Sequence, residues 1–345
     1  MDEEMKTFFN VSCIVIISLS YTYFVSSRIP KGMIRFLSVV PIIFTFLVIP
    51  LFYSSVIFQI GAGIFIAWLA NFKLLLFAFG NKNPHSTNHH SSLSLLEFIL
   101  TTILPILIKQ HKSHTTKRKE TPSFSINTNY CIIWLLVVYL YKYSEYMHPF
   151  VFRVVYSIYM NISVVLIFGV PALIARLLLR KELEPQFDNP HLSTSLQNFW
   201  GKRWNLMVSR TLRSTIYEPL RSHLTQSLGR RWGLHLALLA TFLVSGIMHE
   251  IFYYYTIREW PTGEVMLFLA INGVMVSIEI EAKKALGEKW NLHQGISLML
   301  TIGFFLVSFP WLCYNQLIRS GVLVKGLEES VALGKCAKHA LLSIL

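Results

Sequence analysis

The sequence predicts an all-α fold, a polytopic membrane bundle of about eight spans with interfacial or re-entrant helices beside them. Three observations predict it. Apolar residues gather into runs of about 20, the length a helix needs to cross roughly 30 Å of hydrocarbon. They make up 53% of the 345 residues while only 14% are charged, against about a quarter charged in an ordinary soluble domain. Lysine and arginine collect in the short stretches between runs, as they do where charge sets membrane orientation.

Taken in order, the runs are Phe8–Val25, Ile34–Tyr53, Val56–Phe79, Tyr130–Met147, Val154–Leu179, Gly233–Ile257 and Gly295–Ile318. Glu264–Ile280 is shorter but uninterrupted enough to cross. Leu93–Ile108 holds Glu97 and Pro105 in 16 residues, and suits a re-entrant or interfacial element. The acidic start, Asp2, Glu3 and Glu4, is opposite in sign to a secretory leader, so Phe8–Val25 is expected to be a retained span. One membrane-embedded domain over 1–345 is expected.

Orientation follows from the cations. If Leu93–Ile108 does not cross, alternation puts the amino terminus in the lumen. Arg28, Lys31 and Arg35, then Lys109–Lys119, then Arg176, Arg180 and Lys181, then Lys283, Lys284 and Lys289 all fall in the cytosol. The net charge of +13 is thereby explained without nucleic acid. The four cysteines, Cys13, Cys131, Cys313 and Cys336, contain no CxxC pair, so neither a disulfide framework nor a zinc knuckle is expected. His85, His89 and His90 lie in a polar loop with no carboxylate or cysteine spaced to complete a site, and no metal is expected there.

The stretch 182–231 is too polar to span and too rich in tryptophan for an idle linker. Ser193, Thr194 and Ser195 suit a helix start. Beyond them Trp200, Trp204, Val208, Leu212 and Ile216 form an i, i+4 stripe, with Arg203, Arg210 and Arg221 opposite. This predicts a helix lying in the cytosolic interface, its aromatic side toward the acyl region. The arginine face, with Lys202 beside it, either meets anionic lipid or receives the phosphates of a soluble donor such as coenzyme A. Asn205 falls on the apolar side, where a carboxamide needs a partner. It serves there either as a structural cap or as a donor to a reacting group.

His249 and Glu250 sit deep in an apolar span, where ionisable groups are costly and mark functional sites. Thr241, Ser245 and Tyr253 extend the same polar stripe, which should face the interior with Ser245, Tyr253, Trp200 and Trp204 lining a chamber. A purely structural, interhelical hydrogen-bonding histidine is the competing reading. Tyr253 stands where the second histidine of HExxH would be, so a zinc protease is excluded. An imidazole sheltered in an apolar chamber stays uncharged and accepts a proton. It can deprotonate an alcohol attacking a thioester, with the Asn205 carboxamide donating to the oxyanion. No GxSxG elbow is present and no acyl-enzyme is needed.

Three blocks, AWLANFKLLLFAFG at 67–80, LSTSLQNFWGKRWN at 192–205 and SGIMHE at 245–250, carry a resemblance. It is to the membrane-bound O-acyltransferase superfamily, and within it to the plant wax synthase and acyl-CoA:sterol acyltransferase group. The resemblance covers nearly the whole chain and implies a bundle of that family's kind. It also implies transfer of a fatty acyl group from acyl-CoA to a hydroxyl in the endoplasmic reticulum, with no cofactor beyond acyl-CoA as co-substrate. On this resemblance His249 is the family's histidine and Asn205 its asparagine. Asn198 and Lys202 stand where the signature has an acidic residue and arginine; Lys202 keeps the charge but loses the bidentate fork. NKNPH replaces the relatives' Gly-Pro-Leu turn after residue 80. The expected reaction joins a long-chain fatty alcohol and fatty acyl-CoA into a wax ester, with a sterol as the alternative acceptor. A lipid transporter or lipid-binding membrane protein is the alternative of another class, with His249 and Glu250 as a proton relay. Apolar faces meet lipid and partner helices alike, so patterning sets no oligomeric state.

Overall fold

The computed structural model describes residues 2–80, 93–108, 128–287, 293–322, 324–329 and 331–332. The polar loop with His85, His89 and His90, the basic stretch Lys109–Lys119, Lys289 and Cys336 lie outside them. The described residues are helical almost throughout. In chain order the helices are α1 (Asp2–Phe24), α2 (Met33–Val48), α3 (Val56–Phe79), α4 (Leu95–Ile103), α5 (Thr128–Leu140) and α6 (Pro149–Leu179). Then come α7 (196–203), α8 (206–228), α9 (230–257), α10 (Glu264–Leu286), α11 (Gln294–Cys313) and α12 (Asn315–Arg319). Among the described residues seven helical runs are long and apolar enough to cross a membrane. The apolar run at 130–147 is the exception among the expected spans. Its α-helix ends at Leu140 and continues as a 3-10 turn through Tyr141–Tyr146, where polar residues interrupt the run.

The helix within 93–108 is too short to span a membrane. Helix α4 has nine residues, a rise of about 14 Å and half the hydrocarbon thickness. Ser94 and Glu97 form a capping box at its start. At its end the Lys73 ammonium, from α3, donates to the carbonyls of Thr101 at 2.5 Å and Leu104 at 2.7 Å, satisfying acceptors that a helix end leaves open. Beyond it Gln186 donates to the Pro105 carbonyl, and Ile108 bridges to Leu183. Lys181 pairs with Glu97 at 2.5 Å, and that hydrogen bond is the main reason the Glu97 carboxyl lies below its usual range. Non-helical backbone is thus covered by protein partners.

The apolar run Leu206–Ile257 is a hairpin of two helices. Gly229 takes φ +83°, a conformation that glycine alone adopts at little cost. The chain then turns so sharply that a Cβ on Gly233 would lie 2.6 Å from Thr225 Oγ1 and 2.8 Å from its backbone nitrogen. Replacing Gly233 with leucine is expected to abolish the folded species, because backbone cannot yield as a flexible side chain would. Fluorescence-detected gel filtration in detergent should show loss of the monodisperse peak.

Carboxylates close several helix starts. Glu329 accepts from Val56 N and Ile57 N, both at 3.2 Å, and Glu4 accepts from Ser54 N at 2.7 Å and Ser55 N at 3.0 Å. Glu4 and Glu329 therefore meet at the start of α3, where negative charge is favoured. This assigns a structural role to part of the stretch after Ser320.

Two apolar cores result. One, holding Leu19, Val39, Phe46, Leu74 and Phe98, joins α1 to α4. The other, holding Tyr156, Phe199, Phe242, Phe268 and Phe305, joins α6, α7, α9, α10 and α11. A smaller cluster links α3, α8 and α9 through Trp68, Phe72, Leu212, Ile216 and Val244, and the candidate site lies against it.

Candidate active site

The tryptophan-rich block is not one helix. Trp204 is extended (φ −98°, ψ 125°) and Asn205 left-handed (φ 38°, ψ 63°), so the register resets between α7 and α8. Leu206 N donates to the Gln186 carbonyl at 2.7 Å, and Ser209 Oγ donates back to the Trp200 carbonyl at 2.9 Å. These bonds hold the break. The expected i, i+4 stripe is divided by it. Trp200 and Trp204 pack into the larger core, while Val208, Leu212 and Ile216 face α3 and α9. The apolar side of α8 therefore meets protein there, where the periodicity predicts lipid.

Asn205 is the N-cap of α8. Its Oδ1 accepts from Val208 N at 3.3 Å, and the residue is 8% exposed. Asparagine is among the few non-glycine residues that tolerate the left-handed region and is also a strong N-cap. The carboxamide oxygen is thereby occupied, while Nδ2 has no hydrogen bond among the described residues.

His249 lies on α9. Its Nδ1 is 2.7 Å from the Ser245 carbonyl oxygen. A carbonyl only accepts, so Nδ1 carries the proton and Nε2 presents its lone pair. The Trp68 ring meets the imidazole at 5.1 Å and 70°, edge to face, fixing the side chain from α3. His249 is half-buried. Its sequence neighbour Met248 shares the small cluster with Val208, the residue whose N–H is capped by Asn205. The same cluster thus brings the helix start at Asn205 toward the His249 helix.

The remaining residues divide between these surroundings. Ser245 contributes its carbonyl to His249. Tyr253 points into the larger core and donates to the Cys313 carbonyl at 2.6 Å. Trp200 Nε1 donates to Asn272 Oδ1 at 2.9 Å, and Asn272 is fully buried. Glu250 Oε1 accepts from Met266 N at 3.1 Å, so this carboxylate closes the first turn of α10. Arg203 is held by Asn198 Oδ1 at 2.8 Å and by the carbonyls of Asp188 and Asn189, and the helix break removes it from any shared face with Arg210 and Arg221. Arg210 pairs with Glu184, Arg221 lies over the Tyr217 ring at 5.7 Å, and Lys202 is exposed.

Three contributions lie outside the site residues that sequence patterning singles out. Trp68 sits within an apolar span, and only the packing of α3 on α9 reveals it. Asn272 carries a signal that was available, a lone amide in a span. The chain also forms π-type turns at Ala62–Ala70, holding Trp68, and at Phe199–Arg203, inside the tryptophan block. Such turns recur at functional sites.

A bundle of membrane-length helices with an imidazole inside one of its spans defines an integral multi-pass membrane protein. Residues 183–271 match the membrane bound O-acyl transferase family. The chain is similar over almost its full length to three plant proteins. It is 40% identical to acyl-CoA–sterol O-acyltransferase 1 of Arabidopsis thaliana, covering 96% of each chain. It is 38% identical to the long-chain-alcohol O-fatty-acyltransferase of Simmondsia chinensis, covering 100% of this chain and 99% of the other. It is 36% identical to the probable long-chain-alcohol O-fatty-acyltransferase 9 of Arabidopsis thaliana, covering 96% of each. The chain belongs to the membrane bound O-acyltransferase family.

Proposed function

We propose that this protein is one membrane-embedded acyltransferase domain, resident in the endoplasmic reticulum, that esterifies a long-chain fatty alcohol with fatty acyl-CoA, giving a wax ester and free coenzyme A. The observation that carries the chemistry is the His249 tautomer: Nδ1–H donates to Ser245, so Nε2 is the acceptor. Nε2 takes the alcohol proton as the alcohol oxygen attacks the thioester carbonyl. The Asn205 Nδ2 donates to the oxyanion so formed. The intermediate collapses, the carbon–sulfur bond breaks, and the leaving thiolate recovers the proton from His249.

Coenzyme A phosphates are met by the exposed Lys202 and by the half-buried Arg210 and Arg221, while Arg203 holds the fold of the block. The similarity to the Simmondsia long-chain-alcohol enzyme supports the acceptor. The similarity to the Arabidopsis sterol enzyme favours a second reading with a sterol acceptor.

The test is product analysis in a host devoid of neutral-lipid synthesis, given hexadecanol and sterol together. Wax ester should dominate, and formation should persist in detergent extracts. Steryl ester as the main product would move the assignment to the second reading. Formation of neither ester would reject both readings.

A further inference from the structure

Asn272 takes no part in the proton transfer at His249, yet it is a fully buried carboxamide within the apolar span of α10. An amide there costs free energy unless its polar atoms are paired. Its Nδ2 donates to the Phe268 carbonyl one turn back at 2.8 Å, and its Oδ1 accepts from Trp200 Nε1 at 2.9 Å. An indole nitrogen only donates and a carbonyl only accepts, so a single orientation of the amide satisfies both. Asn272 is thus fixed by its own helix and aims its oxygen at the tryptophan block. Further along the same helix, Glu279 accepts from Gln197 N at 3.1 Å and Lys283 donates to Gln197 Oε1 at 3.2 Å. Helix α10 therefore grips α7 at its start and again at its π-type turn.

From Trp200 the connection runs to Asn205 through bonded atoms. The Trp200 carbonyl accepts from Ser209 Oγ at 2.9 Å, and Ser209 N donates to the Asn205 carbonyl at 3.0 Å. These bonds cross the left-handed break, so the place of Asn205 depends on where Trp200 lies. The indole also meets Phe242 of α9 edge to face, at 5.6 Å and 90°, two turns before His249 on that helix. A Cβ on Gly273 would lie 3.1 Å from the Phe242 side chain, so α9 and α10 approach closely beside Asn272. Trp200 is wedged between these helices and the Asn205 break, and Asn272 holds its one side-chain donor.

We infer that Asn272 is a positioning residue for acyl transfer: by holding the Trp200 indole it sets where the Asn205 carboxamide stands relative to the His249 helix. The inference rests on the acyltransferase reading, with Asn205 as the oxyanion donor. Asn272→Leu removes the acceptor, and Trp200→Phe removes the donor while keeping an aromatic ring. Each should lower kcat about ten- to a hundredfold, the cost of a small misplacement of a reacting group, with acyl-CoA KM changed less than about twofold. The assays use full-length folded protein from gel filtration, well below its melting temperature.

Asn272→Leu in the Asn205→Gly background separates positioning from support of the fold. With no carboxamide left to place, it should cost less than about a further twofold, whereas a residue that only supports the fold costs the same factor in both backgrounds. Hydrogen exchange supplies a readout without turnover: amides of 203–209 should exchange faster in Asn272→Leu and Trp200→Phe than in wild type, with those of α2 unchanged. Should Asn272→Leu not fold, Trp200→Phe in the two Asn205 backgrounds decides in the same way. Unchanged kcat, an equal loss in both backgrounds, or unchanged exchange at 203–209 would each overturn the proposal. A wild type that forms no ester, with 203–209 still loosened in the variants, would sink the acyltransferase reading and leave only the brace from Asn272 to α8.

Discussion

Replacing His249 with alanine is expected to lower ester formation by 10²–10⁴-fold, the usual contribution of a positioned general base, with the protein still folded. Retention of the fold follows from what the side chain touches. Among the described residues its hydrogen bond, to the Ser245 carbonyl, lies within its own helix, and its ring contact is with Trp68. The loss should fall on kcat, since a proton acceptor acts in the transition state and not on bound acyl-CoA. Wild-type and variant membranes would be assayed with labelled acyl-CoA and hexadecanol, alongside thermal melting in detergent. Turnover within a fewfold of wild type would remove His249 from the reaction and favour a structural histidine. The Glu250 carboxylate is a separate matter. It closes the start of α10 through Met266 N, so its neutralisation should appear as loss of stability.

What the sequence made legible was whatever depends on composition along one segment. The spans show as apolar runs because hydrocarbon thickness fixes their length, and six of the expected eight overlap long apolar helices of their own. The exceptions are instructive: the run at 130–147 stops helical winding at Leu140, and Gly233–Ile257 is the second arm of a hairpin whose bend depends on the positive φ of Gly229. His249 was legible because an ionisable residue in a span is conspicuous. The path of 196–228 was not. A helical wheel assumes a constant 100° per residue, and a single left-handed residue at Asn205 cancels it. One of the bonds that stabilise the break goes to Gln186, well back in the chain. Arg203 likewise looks like a surface cation until its carbonyl partners at Asp188 and Asn189 are in place. Trp68 lies about 180 residues from His249, and no periodicity relates them.

Asn205 carries the other large expected effect, and the side chain chosen to replace it decides what is learned. Aspartate tolerates the left-handed backbone and is as good an N-cap as asparagine, so Asn205→Asp should keep the Val208 cap and the start of α8. It replaces the Nδ2 donor with an acceptor and sets a negative charge where the oxyanion develops. A fall in kcat of about 10²–10³ is expected, the cost of losing one oxyanion donor, with acyl-CoA KM and the melting temperature little changed. Glycine also accepts the backbone and costs only tenths of a kcal/mol at the cap, so Asn205→Gly should lose activity by a similar factor. Alanine differs, because it adds about 1–2 kcal/mol of left-handed strain to about 1 kcal/mol of lost capping, and Asn205→Ala should melt several degrees lower. If Asn205 were only a cap, the order would be reversed: aspartate would be active and glycine nearly so, while alanine alone would fail. Steady-state kinetics and melting curves on the three variants separate a carboxamide that donates to the reacting oxygen from one that only starts a helix.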